Sequence, residues 1–266
     1  MNHCADSATE GESNVGANGI PFTGAEYYSC ALPAMLRDLR KVMELPKLPI
    51  MAVELAAYCN DHDFSTYHTW CDEPKSVLTS TEYHLPALRL AQASAEDLSD
   101  VYMIANLDLG SLHAPHGSIH SVPKDKLGAR LALAIRASAS TDSAVVWAGP
   151  TATSVEAEAT SGKLIVRFNV SAGAGGLVLS GSESCPPTIM RIFCTGAGFE
   201  ARGSDGKWAP VKSATADADQ KSIVLEPAVA KAERVRYAFA DWPLAMVRNR
   251  VGGLPARLFD LAVGGK

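Results

Sequence analysis

The feature that most constrains the fold is a change of hydrophobic periodicity near residue 143. Upstream of this point, stretches with the apolar spacing of amphipathic helices alternate with short apolar runs typical of buried strands. Downstream, short β-rich segments follow one another between turns rich in Gly, Ser, Pro and Asp. The sequence therefore predicts an α/β portion over residues 1–142 and an all-β, sandwich-like domain over residues 143–266.

The first portion is expected to contain helices that alternate with parallel strands. Helices are predicted in "AEYYSCALPAMLRDLRKVMEL", "STEYHLPALRLAQAS" and "KDKLGARLALAIRAS", and buried strands in "LPIMAVEL" and "VYMIANLDL". Pro33 lies inside the first of these helices and is expected to kink it or to mark its true start. The face of this helix that is expected to be buried carries Tyr28, Leu32, Met35, Leu36, Leu39 and Val42.

The second portion is predicted from its closely spaced β-rich segments. These segments are "KLIVRFNV", "GGLVLSG", "IMRIFCTG", "GFEARG", "KSIVLE" and "RVRYAFA". Their spacing and the turns between them favour antiparallel sheets.

Composition and charge exclude several classes of protein. The 266 residues carry a formal net charge of −5 with scattered Lys and Arg, which argues against a nucleic-acid partner. No run approaches the roughly 18 apolar residues of a membrane span, and the polar start "MNHCADSATEGESN" lacks the apolar core of a signal peptide. The six cysteines form no C-x-x-C pair, which excludes the common zinc-finger spacings. Cys59/Cys71 and Cys185/Cys194 are near enough in sequence to be disulfide candidates, although buried free thiols are the favoured interpretation of the cysteines.

The stretch "DLGSLHAPHGSIH", from Asp108 to His120, follows a predicted strand and precedes a predicted helix. Open α/β sheets place their ligands at this end of a strand. The stretch could form a metal site from His113, His116 and His120, hold a general base beside an orienting acid, or be a solvated loop. Pro115 and two glycines make it irregular and no paired acidic ligand stands out, so no metal site is expected. His120 is the preferred candidate base, because the following segment would fix its ring.

A second motif, "EGESN" at residues 10–14, is a polar turn ahead of the first helix. The backbone N–H of Gly11 and the side-chain amide of Asn14 are the donor types that an oxyanion hole needs. A capping turn, with Ser13 or Asn14 as the cap, is the alternative interpretation.

Read together, these pieces resemble the sialate O-acetylesterase family of SGNH-type hydrolases. The similarity follows the family's order and spans nearly the whole chain. It runs through "GESN", "YYSCALPAMLRDLR", "LPIMAVELAAY", "LPALRLAQ", "MIANLDLG", "GSIH", "RVRYAFADWP" and "GLPARLF". The resemblance implies a partial SGNH-hydrolase-like α/β/α layer with parallel strands, followed by the β domain.

The resemblance implies hydrolysis of O-acetyl esters on sialic acid or related sugars, through serine-type acyl transfer without a cofactor. It implies that His120 is the general base and that Gly11 and Asn14 belong to the oxyanion-stabilising block. Asp108 could reach across the loop and orient His120, and a serine–histidine dyad without an aspartate is equally compatible.

The resemblance also bears on partners and location. It assigns Arg89 and Gln92 to the substrate pocket or its support, and it suggests a secreted, lysosomal or periplasmic protein. The expected partner is an acetylated, sialic acid-like sugar, with no nucleic acid and no membrane.

The nucleophile is expected to lie outside this chain. The family's serine lies in a Gly-Asp-Ser-like motif well upstream of "GESN", whereas Ser7 in "ADS" is too close to "GESN" to leave room for the intervening strands. Hydrolysis is therefore expected only if the missing segment is supplied, for instance by a second polypeptide.

The alternative is a non-catalytic carbohydrate-binding or interaction protein, a degenerate esterase copy. Its candidate sugar-stacking aromatics are Trp147, Trp208, Tyr237 and Trp242, for which core packing is the competing interpretation.

Overall fold

The computed structural model describes residues 14–15, 21–22, 24–57, 84–111, 114, 120–140, 145–179 and 196–264. Within these ranges, the α/β part contains helices α1 (Gly24–Val42), α2 (His84–Ala93) and α3 (Lys124–Ala139). Strands β1 (Asn14–Val15) and β2 (Pro21–Phe22) form an antiparallel pair ahead of α1. Strands β3 (Ile50–Val53) and β4 (Val101–Ile104) form a parallel pair. These helices and parallel strands confirm the predicted α/β portion.

Helices α1 and α2 pack on one face of the parallel pair. Side chains alternate between the two faces of a strand, so Ile50 and Ala52 of β3 share a face. Both contact the hydrophobic cluster that contains Leu32 of α1, Leu88 of α2 and Met103 of β4. Helix α3 also lies against β3 and β4. All three helices therefore pack against the parallel pair and support it.

Helix α1 passes through Pro33 without ending there, and it begins at Gly24, so Pro33 does not mark its start. The predicted buried face is only partly right. Its members Tyr28, Leu32 and Leu36 are buried, whereas Met35, Leu39 and Val42 are exposed by 42%, 42% and 79%.

The difference has a geometric reason. Residues 28, 32, 36 and 40 form one i, i+4 row along the helix, and this row contacts the neighbouring elements. Met35, Leu39 and Val42 lie to one side of the row, and we call these three residues the apolar flank.

The second part of the chain consists of several antiparallel sheets, which confirms the β-rich prediction. Two of them have four strands, in the orders β10–β11–β6–β5 and β14–β12–β8–β9, and β13 pairs with β7. The strands are β5 (Thr151–Ala157), β6 (Leu164–Asn169), β7 (Leu177–Leu179), β8 (Phe199–Arg202), β9 (Trp208–Pro210), β10 (Ser213–Ala216), β11 (Ser222–Glu226), β12 (Arg234–Tyr237), β13 (Val247–Asn249) and β14 (Phe259–Ala262).

One hydrophobic core serves both four-stranded sheets. Val166 of β6 and Leu225 of β11 come from one sheet, and Phe199 of β8 and Val235 of β12 come from the other. Leu107, which follows β4, is fully buried in the same core. The α/β part therefore contributes a side chain to the core of the β part.

Several expectations lie outside the described residues. The predicted domain boundary near residue 143 is one of them, as are the cysteine pairs Cys59/Cys71 and Cys185/Cys194. The described residues contain no helix that is both long and apolar enough to cross a membrane.

The two sides of α1 predict different responses to truncation. Leu36 is 5% exposed, so Leu36→Ala should leave a cavity and lower the free energy of unfolding by about 2–4 kcal/mol. Leu39→Ala, on the exposed flank of the same helix, should lower it by about 1 kcal/mol or less. Urea unfolding followed by circular dichroism compares the two variants. Equal losses would show that the flank is covered.

Candidate functional site

Arg89 of α2 ties the end of β3 to the β part of the chain. Its Nε donates to the Leu55 carbonyl at 3.0 Å and its Nη2 to the Ala56 carbonyl at 2.7 Å. Its Nη1 donates to the Ala240 carbonyl at 2.8 Å and its Nη2 to the Asp241 carbonyl at 3.0 Å. An arginine suits this position because its planar guanidinium carries several N–H donors that can reach several backbone carbonyls at once. Arg89 is 1% exposed, and it fixes the backbone beyond β3 against the segment after β12.

Gln92 lies on the same face of α2, three residues after Arg89. Its Oε1 accepts the Leu55 amide at 3.0 Å, and its Nε2 donates to the Val53 carbonyl at 3.3 Å. These bonds make Arg89 and Gln92 supports of the backbone at the carboxyl end of β3. That they also line a substrate pocket stays a prediction.

Glu54, the residue directly after β3, links the ends of the two parallel strands. It is buried, its Oε2 accepts the Asn106 amide at 3.3 Å, and its carbonyl accepts Asn106 Nδ2 at 3.1 Å. Burial raises the pKa of the Glu54 carboxyl, and the charges of Arg257 and Arg89 and the amides of Asn106 and Leu107 offset only part of this effect. Sequence reasoning missed Glu54, although an acidic residue ending the apolar run "IMAV" was a usable signal.

Asp108 lies at the turn after β4, where two arginines hold its carboxylate. Arg130 of α3 donates from Nη1 to Oδ1 at 2.6 Å and from Nη2 to Oδ2 at 2.8 Å, and Arg248 of β13 donates to Oδ2 at 2.9 Å. Burial alone would raise the pKa of Asp108, but the hydrogen bonds and charges of Arg130 and then Arg248 outweigh it and lower the pKa. The carboxylate therefore stays ionised and joins three elements. That Asp108 orients His120 stays a prediction.

The two ends of the predicted histidine loop lie side by side. Ser121 Oγ donates to the Leu109 carbonyl, and the Val122 amide donates to Ser111 Oγ at 2.9 Å. His120 precedes the buried Ser121 and is itself exposed. The two hydrogen bonds therefore hold the backbone next to His120 at the carboxyl end of β4.

Other predicted residues lie at or beyond the limits of the described chain. Gly11, His113 and His116 lie outside the described residues, and Asn14 lies in β1 with its backbone paired to Phe22. The metal interpretation of the histidine stretch is therefore untested. Among the described residues, no group of three or more His, Cys, Asp or Glu is placed to hold a metal ion.

The four candidate sugar-stacking aromatics occupy different environments. Tyr237 is fully buried in the core of the β part, where burial raises the pKa of its phenol, so core packing is the correct interpretation for it. Trp147 packs edge-to-face on Tyr102, with ring centroids 5.0 Å apart. Trp242 and Trp208 are half-buried.

This fold has a counterpart among solved structures. The chain is similar to a carbohydrate acetylesterase from Xanthomonas citri, with a TM-score of 0.68 and 23% sequence identity. The match covers 90% of this chain and 46% of that protein, so this chain spans about half its length. The two proteins share a fold. No family model and no curated protein matches the chain.

The fork of Arg89 predicts that lysine cannot replace it. Arg89→Lys keeps the charge but loses the planar set of donors, so several buried carbonyls lose their partner. The free energy of unfolding should fall by about 2–4 kcal/mol. The control Arg136→Lys changes an exposed arginine of α3 and should change it by less than about 0.5 kcal/mol. Urea unfolding measures both, and similar values for the two variants would contradict the role assigned to Arg89.

The raised pKa of Glu54 predicts a pH-dependent stability. The folded state holds the Glu54 proton more tightly than the unfolded state does. This contribution is therefore complete below the ordinary value of about 4.3 and is lost as the pH rises through the raised pKa. The lowered pKa of Asp108 acts in the opposite sense and in a lower window, because its contribution is lost as the pH falls below about 3.9.

Urea unfolding at a series of pH values tests this assignment. Glu54→Gln should remove the decline of stability above about pH 4.3, since the variant has no proton to lose there. Glu158→Gln, at an exposed position, should keep the wild-type decline. An unchanged decline in Glu54→Gln would assign the effect to another group.

Proposed function

We propose that this chain is the histidine-bearing part of a serine-type carbohydrate acetylesterase. The observation that carries the proposal is the position of His120 on a loop closed at its base, at the carboxyl end of β4. Open α/β sheets bind their ligands at this edge. The shared fold with a carbohydrate acetylesterase, over 90% of this chain, supports the same conclusion.

In the proposed reaction, His120 takes the proton of a serine hydroxyl while the serine oxygen attacks the acetyl carbonyl. The histidine returns this proton to the sugar oxygen as the bond between acetyl and sugar breaks. The Gly11 N–H and the Asn14 amide stabilise the oxyanion. Water, deprotonated by the same histidine, then attacks the carbonyl of the acetyl-serine, and the histidine returns this proton to the serine oxygen as acetate leaves. The chemistry of these steps requires no cofactor.

The proposed source of the serine is a polypeptide outside these 266 residues. Two observations are compatible with such a polypeptide, either a further segment of the same protein or a second chain. In the described part of the chain, β3 pairs only with β4, which leaves its other edge for another strand. The apolar flank of Met35, Leu39 and Val42 on α1 is exposed as well.

Asp108 is proposed to serve catalysis as a positioning residue. Its carboxylate, held between Arg130 and Arg248, fixes the backbone from which the His120 loop departs. This role is compatible with a serine–histidine dyad. A direct bond from Asp108 to the His120 ring during catalysis is the alternative within the same proposal.

The proposed substrates are O-acetylated sugars, and sialic acid is the specific candidate. The support for sialic acid is the sequence resemblance, which includes the "LPALRLAQ" segment with Arg89 and Gln92. The bonds of these two residues hold the backbone at the edge where the sugar would bind.

Acetate release from O-acetylated sialic acid tests the proposal. The chain is co-expressed with an upstream segment that carries a Gly-Asp-Ser motif, and wild type is compared with His120→Ala. Loss of the base should lower kcat by about 100-fold or more. His113→Ala, in the same loop, is the matched control and should retain activity.

Two results would overturn this proposal. Activity that survives His120→Ala would mean that His120 is not the base. No acetate release from a folded, fully assembled complex would favour the non-catalytic carbohydrate-binding alternative.

A further inference from the structure

The sheet β14–β12–β8–β9 has a polar and aromatic outer face. Alternate residues of its strands, such as Phe199 and Val235, point into the hydrophobic core. The residues between them point to the opposite side. By strand register, this outer face carries Glu200, Arg202, Trp208, Arg234, Arg236 and Asp260.

Two of the three arginines on this face have carboxylate partners. Arg236 makes a two-point ion pair with Glu200, at 2.7 and 3.1 Å, and both side chains are buried. Arg234 donates to the Asp260 carboxylate at 2.9 Å. The outer face therefore carries one more guanidinium than carboxylates.

Arg202 is the arginine without a carboxylate. Its Nε is buried and has no hydrogen-bond partner. Among the described residues, no ion pair or side-chain hydrogen bond involves its guanidinium. A buried donor without an acceptor costs free energy, so the buried Nε leaves part of the hydrogen-bonding capacity of this guanidinium unused.

Trp208 is the cross-strand partner of Arg202 in the β8–β9 ladder. The guanidinium carbon of Arg202 lies 5.7 Å from the centre of its ring, and that of Arg236 lies 4.2 Å away. Phe239 contacts Arg236 as well, at 4.8 Å. These cation–π contacts help to hold the indole in place, and Trp208 as a whole is half-buried.

We propose that Arg202 and Trp208 form a binding site for an acidic sugar. The guanidinium matches a carboxylate in shape and charge, so it would receive the sugar's carboxylate group. The fixed indole beside it would offer an apolar surface to the sugar ring, in the way that ligand sites combine apolar area with a few polar groups. The inference that the ligand carries a carboxylate depends on Arg202 alone. The inference that the ligand is a sugar depends on the proposed function.

Calorimetric titration of the full chain with glucuronate tests the site, with glucose as the neutral probe of the same ring size. Wild type should bind glucuronate saturably and more tightly than glucose. Arg202→Ala should weaken glucuronate binding by about tenfold or more, because the charge-assisted bonds are lost. Arg250→Ala removes an exposed arginine elsewhere in the β part and should bind as wild type does. Trp208→Leu should weaken binding as well.

Folding of the variants is checked by urea unfolding. Arg202→Ala removes a buried donor that has no partner and also the cation–π contact with Trp208, so its free energy of unfolding should change by about 1 kcal/mol or less. A loss of binding in this variant then reports on the site and not on the fold.

Three results would overturn the proposal: no saturable binding of glucuronate by folded wild type, equal affinity for glucose and glucuronate, or unchanged binding in Arg202→Ala. Wild-type glucuronate binding by His120→Ala would support a site separate from the His120 loop. A chain that binds glucuronate but yields no acetate in the assembled complex would refute the proposed esterase and leave this site standing.

Discussion

The buried arginine of α2 is the contact on which the geometry of the chain depends. Arg89 brings a full positive charge into the interior and satisfies it with backbone carbonyls from two distant segments. The guanidinium can meet all of these carbonyls only if both segments are in place. The hydrogen bonds of Arg89 therefore couple the order of the end of β3 to the order of the segment after β12. Asp108 also joins distant segments, in this case through ion pairs, since its two arginines come from α3 and from β13. The edge of the sheet proposed to be catalytic is thus built from both parts of the chain.

Local elements could be predicted from the sequence, whereas long-range partners could not. The apolar spacing of "KDKLGARLALAIRAS" indicated a helix, and the structure has it at Lys124–Ala139. Strand β10, with the sequence "SATA", has no hydrophobic signal and depends on its pairing with β11. Arg89 meets Ala240 across 151 positions, and Asp108 meets Arg248 across 140. No periodicity in the sequence encodes such pairs, because side-chain spacing reports only on the element that carries it.

In the candidate site too, the order of the elements could be predicted from the sequence, whereas contacts between distant residues could not. The placement of the His120 loop after a strand followed from the order of elements, because connections in such folds are short and regular. The exposure of Met35, Leu39 and Val42 could not be predicted, since apolar spacing indicates which face of a helix is suited to burial and not how much neighbouring surface exists to cover it. The two guanidinium groups around Asp108 are contributed by elements on either side of the predicted domain boundary.

The hydrogen bonds from Ser121 and Val122 hold the chain on either side of the predicted His120 loop together at one junction. The entropy cost of closing a connection between two such points rises only slowly with its length. These two hydrogen bonds can therefore keep the ends together over a range of connection lengths. The position of the backbone next to His120 would then depend on this junction and not on the length of the connection before it.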